Sequence, residues 1–174
     1  MVHYISNLVS IEDCNKLVLE FYNQKKIRPS ADIVDENSLK TRYGFKGYGE
    51  FDKLLNSLKP IIIELTNGKK IKNVNSFVRE YKNGSVLEKH VDREDIGITL
   101  SICLFSNIKN NWPLVAEYNH ETISHNLQIG DGLLIIGSDK IPHWRDELIC
   151  DENESVIQLF LHWKESVINK KNLI

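Results

Sequence analysis

The sequence predicts an α+β fold in which helices pack on the outside of a β-sandwich. Two observations predict it. Before residue 70, apolar residues recur at helical spacing in two stretches; from about residue 74 the pattern changes to period-two alternation. Helices first and strands afterwards is the order of an α+β domain. At 174 residues the chain suits one domain with a sizeable core. The expected layout is a single domain over 1–174, with 1–70 mostly helical support and loop and 71–165 the β core.

The first helix is expected over about 11–24. Ser10-Ile-Glu-Asp13 resembles a capping box with Asp in place of the usual Glu, and Ile11, Cys14, Leu17, Val18, Phe21 and Tyr22 recur on one face. A polar, loop-like stretch follows to about residue 47, and a loop of that length is either a binding lid over 25–49 or a plain connection. Phe51, Leu54, Leu55, Leu58, Ile61, Ile62 and Leu65 mark a second helix. Pro60 is expected to break or kink it and Asn67-Gly68 to stop it.

Strands follow. One ends at Tyr81, Asn83-Gly84 turns the chain, and a second carries His90. Ile98, Leu100, Ile102 and Leu104 alternate with Thr99, Ser101, Cys103 and Phe105. Leu114–Tyr118, the apolar Leu133–Ile136 and the alternating Val156–Trp163 complete the set. The tail from Lys164 is polar and expected to fray.

Composition bounds the function. A hydrophobic share of 41% and a charged share of 26% are ordinary for a soluble globular protein. A net charge of −2 gives no global attraction to nucleic acid or to an acidic membrane. Cys14, Cys103 and Cys150 form no CxxC pair, which points to a reducing compartment. No signal-like N-terminus and no run long enough to span a bilayer is seen, so a soluble cytoplasmic setting is expected. No nucleophile elbow is present, and the absence of Walker-type and dinucleotide-binding glycine patterns removes phosphate-handling and nicotinamide enzymes.

The chemistry concentrates at His90-Val-Asp92 and at Ile141-Pro-His143-Trp-Arg145, with His143 lying 51 residues beyond Asp92. On a strand, residues 90 and 92 share a face, and a later strand brings in the third group. Two imidazoles and one carboxylate can hold one face of an octahedral ferrous ion and leave three positions open. An HxD pair alone is weak, and two surface polar residues would look the same. His120 and His125 lie in a polar hairpin-like segment and read as turn histidines. His162 reads as a core or pocket-wall residue, Asp131 as a turn residue, and Trp144 as either pocket wall or packing.

The surroundings sharpen this. Tyr81-x-x-Gly84-x-x-Leu87-x-x-His90-x-Asp92, then Gly130-Asp-Gly-Leu-Leu-Ile-Ile136, then Pro142-His-Trp-Arg145 resembles the 2-oxoglutarate and Fe(II)-dependent dioxygenase superfamily, in its prolyl 4-hydroxylase-like branch. The resemblance covers about residues 74–163. It implies a double-stranded β-helix (jelly roll) with Fe(II) on His90, Asp92 and His143, and Tyr81 beside the co-substrate 2-oxoglutarate. It implies that O2 is consumed in hydroxylating an unactivated C–H bond of an amino acid, peptide or small metabolite.

One departure stands out. The family places an Arg or Lys about ten residues after the distal histidine, to pair with the far carboxylate of 2-oxoglutarate. Here Asp151–Gln158 has no basic residue. A dicarboxylate needs a cation, preferably the fork of Arg. Arg145 is the favoured substitute, Arg79 the second and Arg93 the third, with Lys140 and His162 behind. The departure leaves two other readings open: a jelly-roll metal- or ligand-binding module without turnover, or cupin-type oxygenation without 2-oxoglutarate.

Overall fold

The computed structural model describes residues 1–27 and 42–166. The described elements run β1 (Val2–Ile5), α1 (Ile11–Ile27), β2 (Arg42–Lys46), α2 (Glu50–Leu65), β3 (Ile71–Tyr81), β4 (Leu87–His90), β5 (Ile98–Ser106), β6 (Leu114–Tyr118), β7 (Glu121–His125), β8 (Gly132–Ile136), β9 (His143–Arg145) and β10 (Val156–Glu165). They build a six-stranded sheet, β1-β8-β5-β10-β3-β2, facing a four-stranded one, β4-β9-β6-β7. From β3 onward the strands deal themselves between the two sheets as a double-stranded β-helix does. The expected jelly roll with helices outside is the observed architecture.

The two faces of the large sheet divide the core. Ile98, Leu100, Ile102 and Leu104 of β5 and Ile157, Leu159, Leu161 and Trp163 of β10 join the apolar faces of α1 and α2 in one cluster. The alternate residues face the small sheet, where Tyr81, Cys103 and Val156 pack with Trp112, Leu114 and Leu127. Strand period two thus separates a dry helix-side core from a face that can carry a site.

Helix boundaries follow local chemistry. The Asp13 N–H donates to Ser10 Oγ at 3.1 Å and Ser10 Oγ donates back to Asp13 Oδ2 at 2.7 Å, a reciprocal cap. Helix α1 runs three residues past the expected end. Helix α2 continues through Pro60 without interruption, so the expected break is absent. It ends as expected: Asn67 and Gly68 take positive φ, and their N–H groups reach Glu64 O at 2.9 Å and Ile63 O at 2.8 Å. That is the paired bonding of a Schellman cap.

Strands β1, β2 and β7 escaped the sequence reading, β7 because its polar residues read as a turn. Residues 42–46 were expected in a loop but form β2, paired antiparallel with β3. Phe45 explains it: it is fully buried, stacked on Phe21 at 5.5 Å and against Phe51 at 6.1 Å, so it ties β2 to both helices. β1 adds to β8 at the opposite edge, held by Tyr4 Oη donating to Asp131 Oδ2 at 2.6 Å. Residues 1–70 therefore supply two edge strands as well as helices. The remainder of the expected lid, and the fraying expected beyond residue 166, lie outside the described residues. No described helix is long and apolar enough to cross a membrane.

Candidate metal centre

His90 and His143 end up together because β4 and β9 pair in register at these two residues. Their rings lie 4.4 Å apart between centroids. The strand stops at His90, one point where the expectation of a shared strand face for residues 90 and 92 fails. Asp92 lies just beyond, where its N–H donates to Ser138 O at 2.9 Å instead of joining the ladder. The loop after β8 thus sets the carboxylate's position.

Asp92 Oδ1 stands 3.9 Å from His90 Nε2 and 3.8 Å from His143 Nε2. All three donor atoms lie within 4.8 Å of one another. Adjacent ligands at right angles with bonds of ~2.1 Å sit about 3 Å apart, so closing on an ion needs less than about 1 Å of movement per atom. The far nitrogens are engaged: His90 Nδ1 donates to Glu88 O at 2.8 Å and His143 Nδ1 to Ile141 O at 3.0 Å. A carbonyl accepts only, so both rings carry the proton on Nδ1 and turn a bare Nε2 inward. Burial pulls the His143 pKa below the ordinary imidazole value, which keeps it neutral. The second carboxylate oxygen, Asp92 Oδ2, accepts from Thr99 Oγ1 at 2.5 Å. Thr99 Oγ1 is also 3.1 Å from Ser138 Oγ.

The triad lines a cavity of about 190 Å³ between the sheets. Phe77, Arg79 and Tyr81 of β3 line it, with Thr99 and Ser101 of β5, Leu87, Leu114, Phe160 and His162. His162 Nδ1 donates to Asn75 Oδ1 at 3.3 Å, because an amide oxygen only accepts, so Nδ1 carries the proton there. Burial depresses its pKa to about 4, the nearby Asp92 acting in the opposite direction.

The candidate cations separate clearly. Arg79 is half-buried in the wall of the triad cavity, its guanidinium 4.9 Å from the Phe77 ring and 5.8 Å from that of Tyr81. Arg145 points inward like His143, two residues before it on β9's strand face, but lines a second cavity of about 270 Å³ with Trp112, Val156 and Gln158. Its guanidinium lies 4.4 Å from the Trp112 ring, and Nη1 donates to Trp112 O. Nη2 is buried and has no partner; Tyr81 Oη is buried and unpartnered too. Trp112 touches both groups, its ring 5.0 Å from that of Tyr81. Burial pulls the Arg145 pKa down to about 10, Tyr81 acting in the opposite direction. Arg93 is exposed and bound to Asp95 at 3.0 Å, and Lys140 is exposed; neither lines the cavity. Trp144 faces away from the cavity, under Lys89 at 4.7 Å.

Thr99, Ser101 and Trp112 were missed as site residues. The signal was present for two of them: Thr99 and Ser101 are the polar face of an otherwise apolar strand. His125 is not a free turn residue, because its ring stacks on Tyr4 at 4.9 Å.

No family model matches the sequence, and no curated protein matches it. Solved structures do match in fold. A viral collagen prolyl hydroxylase from Paramecium Bursaria Chlorella virus-1, in its 2-oxoglutarate complex, superposes with a TM-score of 0.71 over 95% of this chain and 96% of that one, at 11% identity. HygX from Streptomyces hygroscopicus, with nickel and 2-oxoglutarate bound, gives 0.70 over 96% and 84%, at 9% identity. A prolyl hydroxylase from Trichoplax adhaerens, in complex with a peptide fragment of hypoxia inducible factor, gives 0.71 over 92% and 82%, at 14% identity. The chain shares the fold of these three proteins.

Proposed function

We propose that the protein is an Fe(II)- and 2-oxoglutarate-dependent dioxygenase that hydroxylates an unactivated C–H bond. The observation that carries this reading is the convergence of His90 Nε2, His143 Nε2 and Asp92 Oδ1 in the wall of one cavity. Two imidazoles and one carboxylate suit Fe(II), and three protein ligands leave room for co-substrate and O2. Bound iron with 2-oxoglutarate and O2 supplies the oxidising power, and succinate and CO2 leave.

The chain's own groups supply the rest. Nδ1–H bonds to Glu88 O and Ile141 O hold the two rings, and Thr99 holds the carboxylate. Arg145 Nη2 and Tyr81 Oη are buried donors without acceptors. A buried donor left unmade costs about 1–3 kcal/mol, more when charged. The far carboxylate of 2-oxoglutarate offers acceptors to both, so Arg145 takes the part of the missing family cation and Tyr81 assists. Apolar Phe77, Leu87, Leu114 and Phe160 keep bulk water from the reacting atoms. Similar folds with 2-oxoglutarate, or nickel and 2-oxoglutarate, bound support the co-substrate. The substrate is an amino acid, peptide or small metabolite. Three free cysteines support a reducing, cytoplasmic setting.

The test is anaerobic loading with Fe(II), then release of succinate on adding O2 and 2-oxoglutarate. The expected result is iron-dependent succinate formation that His143→Ala abolishes. Iron-loaded protein that consumes O2 but forms no succinate would favour cupin-type oxygenation. Iron-loaded protein that does neither would favour a binding module.

A further inference from the structure

Arg79 is left over once Arg145 and Tyr81 are given to the co-substrate. Its guanidinium rests against the Phe77 and Tyr81 rings in the wall of the triad cavity. Among the described residues, no carboxylate lies within ion-pair distance of it. It is half-buried where Arg145 is sealed, so it is open to a group arriving from solvent. β2 clears the space: a Cβ at Gly44 would come within 2.9 Å of the Phe77 ring and 3.2 Å of Arg79 Cβ.

We propose that Arg79 binds a carboxylate of the prime substrate, which makes that substrate an anionic small molecule with an apolar body. The inference rests on the dioxygenase reading and names the substrate class of that same site. A guanidinium stacked on rings presents its N–H edge in one plane, the geometry a carboxylate accepts in two parallel bonds. The Phe77, Leu87 and Phe160 walls lower the local dielectric and strengthen that attraction. They also suit an apolar body reaching toward the triad. A residue inside a peptide chain has no α-carboxylate to offer, so a free acid or an amino acid fits better than a chain interior.

The test uses phenylacetate and 4-methylpentanoate against their primary amides. Each is titrated calorimetrically into protein loaded with Ni(II) and 2-oxoglutarate, which does not turn over. At least one acid is expected to bind tenfold or more tightly than its amide. Arg79→Gln should erase the preference, Arg79→Lys should keep part of it, and the 2-oxoglutarate affinity of both variants should stay within about twofold of wild type. Equal binding of acid and amide, or no binding of either acid, overturns the inference. A weakened 2-oxoglutarate affinity in Arg79→Gln overturns it too, by placing Arg79 on the co-substrate. Should wild type hold no metal, the dioxygenase reading fails instead, and the acid preference measured on metal-free protein still decides for or against Arg79.

Discussion

Thr99 Oγ1 donates to Asp92 Oδ2 at 2.5 Å, and this bond leaves only Oδ1 facing the two histidine nitrogens. One oxygen is committed to the protein and one is free for an ion. Without the hydroxyl, the carboxylate can rotate or offer both oxygens at once.

Thr99→Val is therefore expected to weaken metal binding by about ten- to a hundredfold, the usual effect of losing a group that orients a ligand. Thr99→Ser should restore most of it. Isothermal titration with Co(II) reads the change. Unchanged affinity in Thr99→Val would show that Asp92 needs no such support.

Removing the proposed carboxylate partners should act on 2-oxoglutarate and not on metal. Arg145→Gln leaves a buried carboxylate without its cation, a loss of roughly 3–5 kcal/mol, or about two to nearly four orders of magnitude in affinity. Tyr81→Phe removes one hydrogen bond to a charged group, about 1.5–3 kcal/mol. Metal content should match wild type in both. Arg145 also supports Trp112 O, so circular dichroism should accompany each titration. Full 2-oxoglutarate affinity in Arg145→Gln would transfer the role to Arg79.

Acid should destabilise the metal-free protein through His162. Its folded pKa of about 4 lies below the ordinary value of 6.5, so the unfolded chain binds the extra proton first. Stability from this residue is complete above about pH 6.5 and is lost as pH falls toward 4, by about 3 kcal/mol in all. Chemical denaturation at pH 7.5 and 5 should show the drop, and His162→Phe should reduce it. An equal drop in His162→Phe would assign the sensitivity elsewhere, with His143 the next candidate because burial lowers it as well.

Phe45→Ala should cost about 3–5 kcal/mol, because the ring is fully buried between α1 and α2. A loss under 1 kcal/mol in urea melts would mean that β2 is dispensable.

How far the sequence carried this account depends on what each residue's neighbours are. The jelly-roll core was legible except at β7, whose residues are mostly exposed and polar: β5 and β10 alternate between a dry helix side and the cavity side, and β8 is a short apolar run. β2 was not, since its support is Phe45 packing on distant helices and its own stretch reads as Gly-rich loop. The triad was legible because His90, Asp92 and His143 carry their chemistry in residue type and spacing. Its support was legible only in part: Thr99 stands out as a polar residue on apolar β5, but Ser138 reaches Asp92 only through the loop after β8. Arg145 and Arg79 were both visible as candidates, but nothing in their spacing shows that one is sealed against Trp112 and the other half-open beside Phe77.

The central claim is that His90, Asp92 and His143 hold one iron on which 2-oxoglutarate can chelate. The most direct measurement is the visible absorption of the anaerobic Fe(II)-loaded protein as 2-oxoglutarate is added. One iron per chain is expected, with a new charge-transfer band that saturates with 2-oxoglutarate, both lost in the His90→Ala/His143→Ala double variant. Undiminished iron in that variant, or iron-loaded wild type that shows no band at saturating 2-oxoglutarate, would contradict it.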